Sequence, residues 1–418
     1  MSTVPLRESR VLRWMLMALG VIIVLSLTQE LARPETTDLV SAGTAASTLR
    51  RAVPILLAGL GGIWAERAGV VNIGLEGMMV LGTWFGAWGA LEFGPWWGIA
   101  IGIAGGAAGG LLHAVATVGF GVDHIVSGVA INILAPGITR FLSREFFSNR
   151  PGGGITQSPR VESVGHVDIP FLSGGDLFGW STPDIFGWLA DRGWFIVSDV
   201  FAVASGVTSN ISWATLLALL LVPATVFVLW YTPFGLRVRA SGEHPVAADS
   251  LGVNVYRMKY TAVVVSGGMA GFGGAFIAIE QTGIYREAQT QGRGFIGLAT
   301  VIFGNWRPVG AFLGSLLFGF ADALQLRDRT AVHALLLLAG VAVGVAALRA
   351  LKQHRLSTAG ILLPITALML WWYAVTDKVM GELPPVTPHI VTLLVLVLAT
   401  SRLRMPAANG LRYRRGQE

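Results

Sequence analysis

Residues 66–79 are the stretch that decides the fold, and they read Glu66-Arg67-Ala68-Gly69-Val70-Val71-Asn72-Ile73-Gly74-Leu75-Glu76-Gly77-Met78-Met79. A carboxylate, an amide and three glycines stand here inside an otherwise apolar region. An ionisable group is costly there, so we expect Glu76 to face a cavity, a helix N-terminus or a polar partner. The glycines predict a broken helix whose released amide and carbonyl groups line a path. The alternative is that Glu76 caps a half-helix or pairs with a buried donor, and so holds the fold together.

The composition around this stretch is that of a membrane protein. The 418 residues are 53% hydrophobic and 13% charged, with a mean hydropathy of +0.63. Soluble domains carry about 25% charged residues. The apolar runs predict an all-α polytopic membrane protein with about 10–12 transmembrane helices of about 20 residues each. Shorter runs such as Phe295–Gly304 predict broken or re-entrant segments buried among other helices.

The order of apolar and polar segments predicts two transmembrane halves. We expect a cytoplasmic N-terminus (1–10), a first half (11–142), an extracytoplasmic loop (143–210), a second half (211–404) and a cytoplasmic tail (405–418). The second half includes a cytoplasmic loop at 232–256 and an inserted helix pair at about 327–381. Basic residues concentrate at the two ends and in the cytoplasmic loop, which by the positive-inside rule puts both termini in the cytoplasm.

Two patterns in the apolar runs concern how the helices pack. A weak internal repeat matches Ile73-Gly74-Leu75 with Ile296-Gly297-Leu298, and transporters commonly carry such repeats. Glycines also recur at a spacing of four, which places small residues on one helix face and lets helices approach closely. These pairs are Gly98 and Gly102, Gly106 and Gly110, Gly267 and Gly271, and Gly310 and Gly314.

Several kinds of chemistry are excluded by missing residues. The chain has no cysteine, which rules out disulfides and thiolate metal sites. Its only lysines are Lys259, Lys352 and Lys378, and none follows a glycine, so there is no phosphate-binding loop. No motif of a metalloprotease or serine hydrolase occurs, and the scattered basic residues do not indicate nucleic-acid binding. We therefore predict that the chain is not an enzyme. His113, inside an apolar run, is interpreted as a helix-packing histidine, with a proton relay as the alternative.

A second informative stretch is Gly235–Val255, which lies between two predicted spans on the cytoplasmic side. We predict a short helix from Glu243 to Leu251, with Pro245 in its first turn, Glu243 at its positive end and Gly252 as its terminator. A short amphipathic helix that projects from a membrane domain is a natural surface for a soluble partner. The alternative, a helix lying on lipid headgroups, would require more cations than this segment has.

Both stretches resemble the permease subunits of bacterial ABC importers in the branched-chain amino acid and simple-sugar superfamily. The form of residues 66–79 is most similar to the nucleoside-type permeases that work with a basic-membrane-protein lipoprotein. Glu243-x-Pro245-x-Ala247-Ala248-x-x-x-Gly252 is similar to the coupling loop of these permeases. Val126–Ile133 and Met405-Pro-Ala-Ala-Asn-Gly near the C-terminus also match. The inserted helix pair departs from the family pattern.

The resemblance implies an ATP-driven importer subunit in the bacterial inner membrane that moves a nucleoside by alternating access. It implies three protein partners, namely an ABC ATPase that binds ATP and Mg²⁺, a paralogous permease, and a substrate-binding lipoprotein. The implied translocation path residues are Asn72, Glu76, Asn132 and Asp322, and the implied ATPase-coupling residues are Glu243, His244, Pro245, Ala247, Ala248 and Gly252. The alternatives are a permease for a simple sugar such as ribose, and an ion-coupled secondary transporter that relies on Glu76 and Asp322.

Overall fold

The computed structural model describes residues 5–32, 39–177, 180–324, 329–376 and 403–414. These ranges are mainly helical, and their only strands are two residues long, which confirms the predicted all-α class. The helices are α1 (Pro5–Ala32), α2 (Ala42–Arg67), α3 (Leu75–Phe93), α4 (Pro95–Ala114), α5 (His124–Phe146), α6 (Ile185–Ala190), α7 (Val197–Thr208), α8 (Trp213–Tyr231), α9 (Pro233–Glu243), α10 (Pro245–Ser250), α11 (Val255–Phe276), α12 (Arg293–Phe303), α13 (Pro308–Leu324), α14 (Arg329–Lys352) and α15 (Leu356–Val375). Four two-residue strands are β1 (His166–Val167), β2 (Asp176–Leu177), β3 (Trp180–Ser181) and β4 (Ile211–Ser212), and β2 pairs antiparallel with β3.

Local residue chemistry sets several of these helix ends. The Asp123 carboxylate accepts hydrogen bonds from the backbone N–H groups of Ile125 and Val126 and so caps α5. The bond from Val126, more than any other interaction, lowers the pKa of the Asp123 carboxyl group. The Asn254 side chain caps α11 in the same way, accepting from the Arg257 N–H at 3.0 Å. Proline, whose fixed φ suits the start of a helix, opens α4, α9 and α10.

Six helical segments of the described residues are long and apolar enough to cross a membrane. They are Pro95–Gly119, His124–Phe146, Trp213–Tyr231, Val255–Gln281, His333–Lys352 and Leu356–Val375. The 11-residue α12 covers the run predicted as a half-helix. At 1.5 Å per residue it extends roughly 16 Å, about half the hydrocarbon thickness of a bilayer. The apolar run Pro388–Thr400, for which the sequence also predicts a span, lies outside the described residues, and the total number of crossings remains a prediction.

The contacts divide the chain into two compact units. The described residues of Met1–Leu49, Val167–Asn210 and Phe320–Ile390 form the first unit. Its core cluster is built on Ala32, Leu39, Val40, Leu324 and Ala334. The region predicted as an inserted helix pair contains α14 and α15, which pack on each other within this unit.

The second unit comprises Arg50–His166, Ile211–Gly319 and the described part of Val391–Glu418, and it is built around α11. This helix is almost entirely buried and packs against α3 and α4. A Cβ atom placed on Gly106 of α4 would lie 2.3 Å from the Gly267 carbonyl oxygen of α11, and one placed on Gly267 would lie 2.4 Å from the Gly106 oxygen. The predicted role of the glycine pairs in helix packing is therefore confirmed, since only glycine allows this approach.

Candidate translocation and coupling site

The helical chain is interrupted between α2, which ends at Arg67, and α3, which begins at Leu75. We call residues 68–74 the interruption. The Gly69 carbonyl accepts a hydrogen bond from the Lys259 ammonium at 3.3 Å, whereas the Asn72 side chain donates to the Ser266 hydroxyl at 2.9 Å. Lys259 and Ser266 are seven residues apart on α11, which is roughly 10 Å along the helix axis. The interruption therefore runs along α11 as non-helical backbone, and α3 starts inside the unit.

Non-helical backbone at membrane depth is tolerated only where protein satisfies its polar groups. The Val71 N–H donates to His124 Nδ1 at 3.2 Å, and the Val71 carbonyl is 3.1 Å from His113 Nε2. A carbonyl only accepts, so Nε2 of His113 carries the proton and Nδ1 accepts from the Ser127 hydroxyl at 2.9 Å. His113 is completely buried in this network. The geometry is that of the predicted packing histidine.

Asn132 on α5 satisfies two more backbone groups of the same region. Its Nδ2 donates to the Ile73 carbonyl at 3.0 Å, and its Oδ1 accepts from the Gly77 N–H at 2.7 Å. The Gly77 N–H is one of the first-turn donors of α3, which have no partner within the helix itself. Asn132 thus joins the end of the interruption to the start of α3.

Glu76 in the first turn of α3 caps a different helix, α12. Its Oε1 accepts from the Thr290 hydroxyl at 2.6 Å and the Gly292 N–H at 2.9 Å, and its Oε2 accepts from the Gly294 N–H at 2.7 Å. A carboxylate is favoured at this position because the N-terminus of a helix carries a partial positive charge. Glu76 was predicted to face a cavity, a helix N-terminus or a polar partner, and in the structure it faces the N-terminus of α12.

Asn72 differs from these side chains because one of its polar atoms has no hydrogen-bond partner in the part of the chain that the structure describes. The residue has no exposed surface, and its Oδ1 accepts no hydrogen bond from the described residues. An unpaired buried oxygen costs about 1–3 kcal/mol, so it needs an explanation. Asn72, Glu76 and Asn132 lie around the same interruption. Asp322, the fourth predicted path residue, is near the end of α13 in the other unit.

The predicted coupling helix is present but shorter than expected. It is α10, which begins at Pro245, with Gly252 in the left-handed region at φ +84° immediately beyond its end. Glu243 is the last residue of α9 and does not lie at the positive end of α10. Its carboxylate accepts from the Ala407 N–H at 3.1 Å and lies 3.8 Å from Arg67.

The remaining predicted coupling residues differ in how far their side chains are exposed. His244 and Ala247 are exposed, and Pro245 is half-buried. Ala248 is 4% exposed within this chain alone. The methyl group of Ala248 therefore packs inside the permease itself.

Comparison with known proteins decides the family. The model of the branched-chain amino acid transport system/permease component family matches residues 44–339. The chain belongs to this permease family. No solved structure matches it.

The permease is similar to three curated proteins over most of their length. It is 38% identical over 288 residues to the guanosine ABC transporter permease protein NupQ of Bacillus subtilis, which covers 67% of this chain and 81% of NupQ. It is 36% identical over 288 residues to the nucleoside ABC transporter permease protein NupC of Lactococcus lactis, covering 67% and 80%. It is 35% identical over 295 residues to the putative glucose ABC transporter permease protein TsgC13 of Haloferax volcanii, covering 69% and 79%.

Sequence reasoning about this permease missed the partners that complete the site. His124 was not singled out, although an Asp-His pair immediately before an apolar run marks a helix start with a polar side chain beside it. Ser266, Thr290 and Gly292 carried no signal of their own, because their roles arise from the packing of α11 and α12 against α3. The C-terminal motif at Met405 was recognised by resemblance alone, and its contacts with Gly242 and Glu66 had no sequence signature.

Proposed function

We propose that this chain is the permease subunit of an ATP-driven importer of nucleosides. The observation that carries the proposal is the similarity, over four fifths of their length, to permeases named for guanosine and for nucleosides. The coupling geometry supports it. A short helix with exposed residues projects just beyond Gly242, whose backbone packs against that of Arg67 at the start of the interruption. A membrane domain driven by a separate motor needs such a contact.

The ATP and Mg²⁺ would be bound by separate ABC ATPase subunits, because the chain has no phosphate-binding loop. A paralogous permease would complete the membrane domain, and a substrate-binding lipoprotein would deliver the nucleoside. The complex would lie in the bacterial inner membrane with both termini of this chain in the cytoplasm. That orientation puts α10 on the same side as the ATPases.

The contacts suggest how closure of the ATPases reaches the path. Movement of α10 would be carried through Gly242 to Arg67 and then into the interruption. The interruption is bonded to α11 through Asn72 and to α5 through Asn132, and Glu76 links α3 to the start of α12. A shift of the interruption would therefore displace several helices together and open the path to the other side. The buried Oδ1 of Asn72 is a candidate acceptor for a substrate hydroxyl group.

A permease for a simple sugar is the second candidate, and the similarity to a putative glucose permease favours it. An ion-coupled secondary transporter has less support. Both carboxylate oxygens of Glu76 already accept hydrogen bonds from fixed donors, so a proton added to either oxygen would lie beside a donor and weaken that bond.

The test is uptake by the complete complex in proteoliposomes, with the lipoprotein outside and ATP inside. We expect ATP-dependent uptake of labelled guanosine that unlabelled nucleosides inhibit and glucose or ribose does not. Uptake of glucose but not guanosine would favour the sugar permease. Uptake by the purified chain alone, without ATP and abolished by a protonophore, would overturn the proposal.

A further inference from the structure

Residues 405–410, which we call the C-terminal clasp, lie against the junction of α9 and α10. The Ala408 N–H donates to the Gly242 carbonyl at 2.9 Å, and the Ala407 N–H donates to the Glu243 carboxylate at 3.1 Å. Gly242 and Glu243 are the last two residues of α9, and only His244 separates them from Pro245 at the start of α10. The clasp is thus bonded to the base of the coupling helix.

The same segment is bonded to the end of α2 and the start of the interruption. Asn409 Nδ2 donates to Glu66 Oε2 at 3.0 Å, and the Gly410 N–H donates to the Gly69 carbonyl at 3.4 Å. The Glu66 carboxylate is buried, and Trp306 Nε1 donates to the same oxygen. The clasp therefore links two elements that are about 175 residues apart in sequence.

The base of α10 and the end of α2 are packed too closely to move independently of each other. A Cβ atom on Gly242 would lie 2.3 Å from the Arg67 carbonyl oxygen, so the two backbones are already in contact. The Arg67 guanidinium donates to the Trp306 carbonyl at 2.9 and 3.1 Å. The base of α10, the end of α2 and the turn after α12 meet at this place, with the clasp bonded to the first two.

The buried amide of Asn409 has one polar atom that is hydrogen-bonded and, within the described ranges, one that is not. Its side chain is buried, and its Oδ1 accepts no hydrogen bond from the described residues. An apolar side chain would avoid the cost of that unpaired oxygen. What the amide supplies is a directional bond to Glu66, and this bond fixes the clasp to the α2 end.

We propose that the C-terminal clasp is a second coupling element, which moves with α10 and transmits the motion to the interruption through Glu66 and Gly69. Asn409 is then a positioning residue for transport. The inference rests on the proposed ATP-driven function, since without a motor the clasp has nothing to transmit. It adds to the coupling helix a segment that follows it in sequence by more than 150 residues.

The first experiment measures how tightly ATP hydrolysis is coupled to uptake in the reconstituted complex. For Asn409→Ala we expect normal assembly, unchanged basal ATP hydrolysis and uptake per ATP reduced about fivefold, the equilibrium effect of losing one hydrogen bond of typical strength. The matched control is Asn149→Ala, at an exposed position between α5 and β1, which should keep the wild-type ratio. An assembled Asn409→Ala complex with the wild-type ratio would overturn the proposal. Failure of the wild-type complex to import with ATP would instead overturn the proposed function.

The second experiment does not depend on that variant being folded. The chain has no cysteine, so spin labels attach to it only at introduced positions, here Leu251→Cys and Leu411→Cys. Both leucines are exposed, at 85% and 60%. With a partner ATPase free of cysteines, we expect the distance between the labels to be the same in nucleotide-free and ATP-bound complexes. The distance from either label to one at Phe93→Cys should change. A 251–411 distance that changes on ATP binding would show that the clasp does not follow α10 and would refute the proposal.

Discussion

Replacement of Glu76 by glutamine tests whether this carboxylate holds α12 in place. The wild-type side chain accepts three hydrogen bonds, one from the Thr290 hydroxyl and two from the backbone N–H groups of Gly292 and Gly294. Glutamine keeps one oxygen and turns an NH₂ group toward the remaining donors. At least one bond is lost, and a donor is left facing a donor.

The expected cost follows from the bonds that cannot form. A hydrogen bond to a charged group contributes about 1.5–3 kcal/mol. The charge at the helix N-terminus contributes about 0.3–1 kcal/mol more. We therefore expect Glu76→Gln to lower the free energy of unfolding by about 2–4 kcal/mol. Glu76→Ala should cost at least as much, since it leaves all three donors without this partner.

The assay is thermal unfolding of the purified complex, with Glu92→Gln as the control. Glu92 lies on the same helix, α3, and pairs with Arg150 where both side chains are about one third exposed. Exposed pairs of this kind contribute about 0–1 kcal/mol. If Glu76→Gln is as stable as Glu92→Gln, the capping argument is refuted. Loss of uptake in such a stable protein would then favour the other interpretation, in which Glu76 lines the path.

Three further pairs of substitutions test the remaining geometry. Ala247→Trp should leave the permease folded but prevent co-purification of the ATPase, because Ala247 is exposed. Ala248→Trp should instead reduce the yield of folded permease, because Ala248 is buried. Equal yields of folded protein for the two variants would contradict this distinction. Gly252→Val should abolish uptake and Gly252→Asn should retain it, because a left-handed residue costs about 1–2 kcal/mol for most side chains and less for asparagine. Equal transport by these two variants would show that the turn after α10 is unimportant. Gly106→Ala should destabilise the permease by about 1–3 kcal/mol, because the new Cβ would clash with Gly267. Gly137→Ala should not destabilise it, because no atom lies within 4 Å of the new Cβ there. Identical unfolding midpoints for the two variants would refute the packing argument.

Features that depend on neighbouring residues could be predicted from the sequence. The position of Pro245 in the first turn of α10 and the left-handed turn at Gly252 are of this kind, as are the glycine faces of α4 and α11. In each case the side chain or its absence restricts the local backbone, whatever surrounds it. The start of α10 was misplaced by two residues because Glu243, a good residue for a helix N-terminus, instead ends α9 and contacts the C-terminal clasp.

Features that depend on distant partners could not be predicted in the same way. The sequence showed that Glu76 needed a polar partner, but three donors more than 200 residues away supply it. The sequence also indicates Asn132 as a candidate path residue. It does not indicate that the Asn132 amide bonds backbone groups just before and just after the start of α3. Such pairings arise when helices pack, and no local propensity encodes them.

The structure also bears on which polar residues remain available to a solute. A segment of non-helical backbone inside a membrane protein requires donors and acceptors from its neighbours, and polar side chains in apolar runs supply them. Glu76 and Asn132 are used in this way on every polar side-chain atom. Of these three path candidates in the second unit, Asn72 alone keeps a buried oxygen without a donor among the described residues. A hydroxyl group admitted to this buried position by a shift of the interruption would gain a hydrogen bond there without breaking one, which makes Asn72 the strongest candidate for direct contact with substrate.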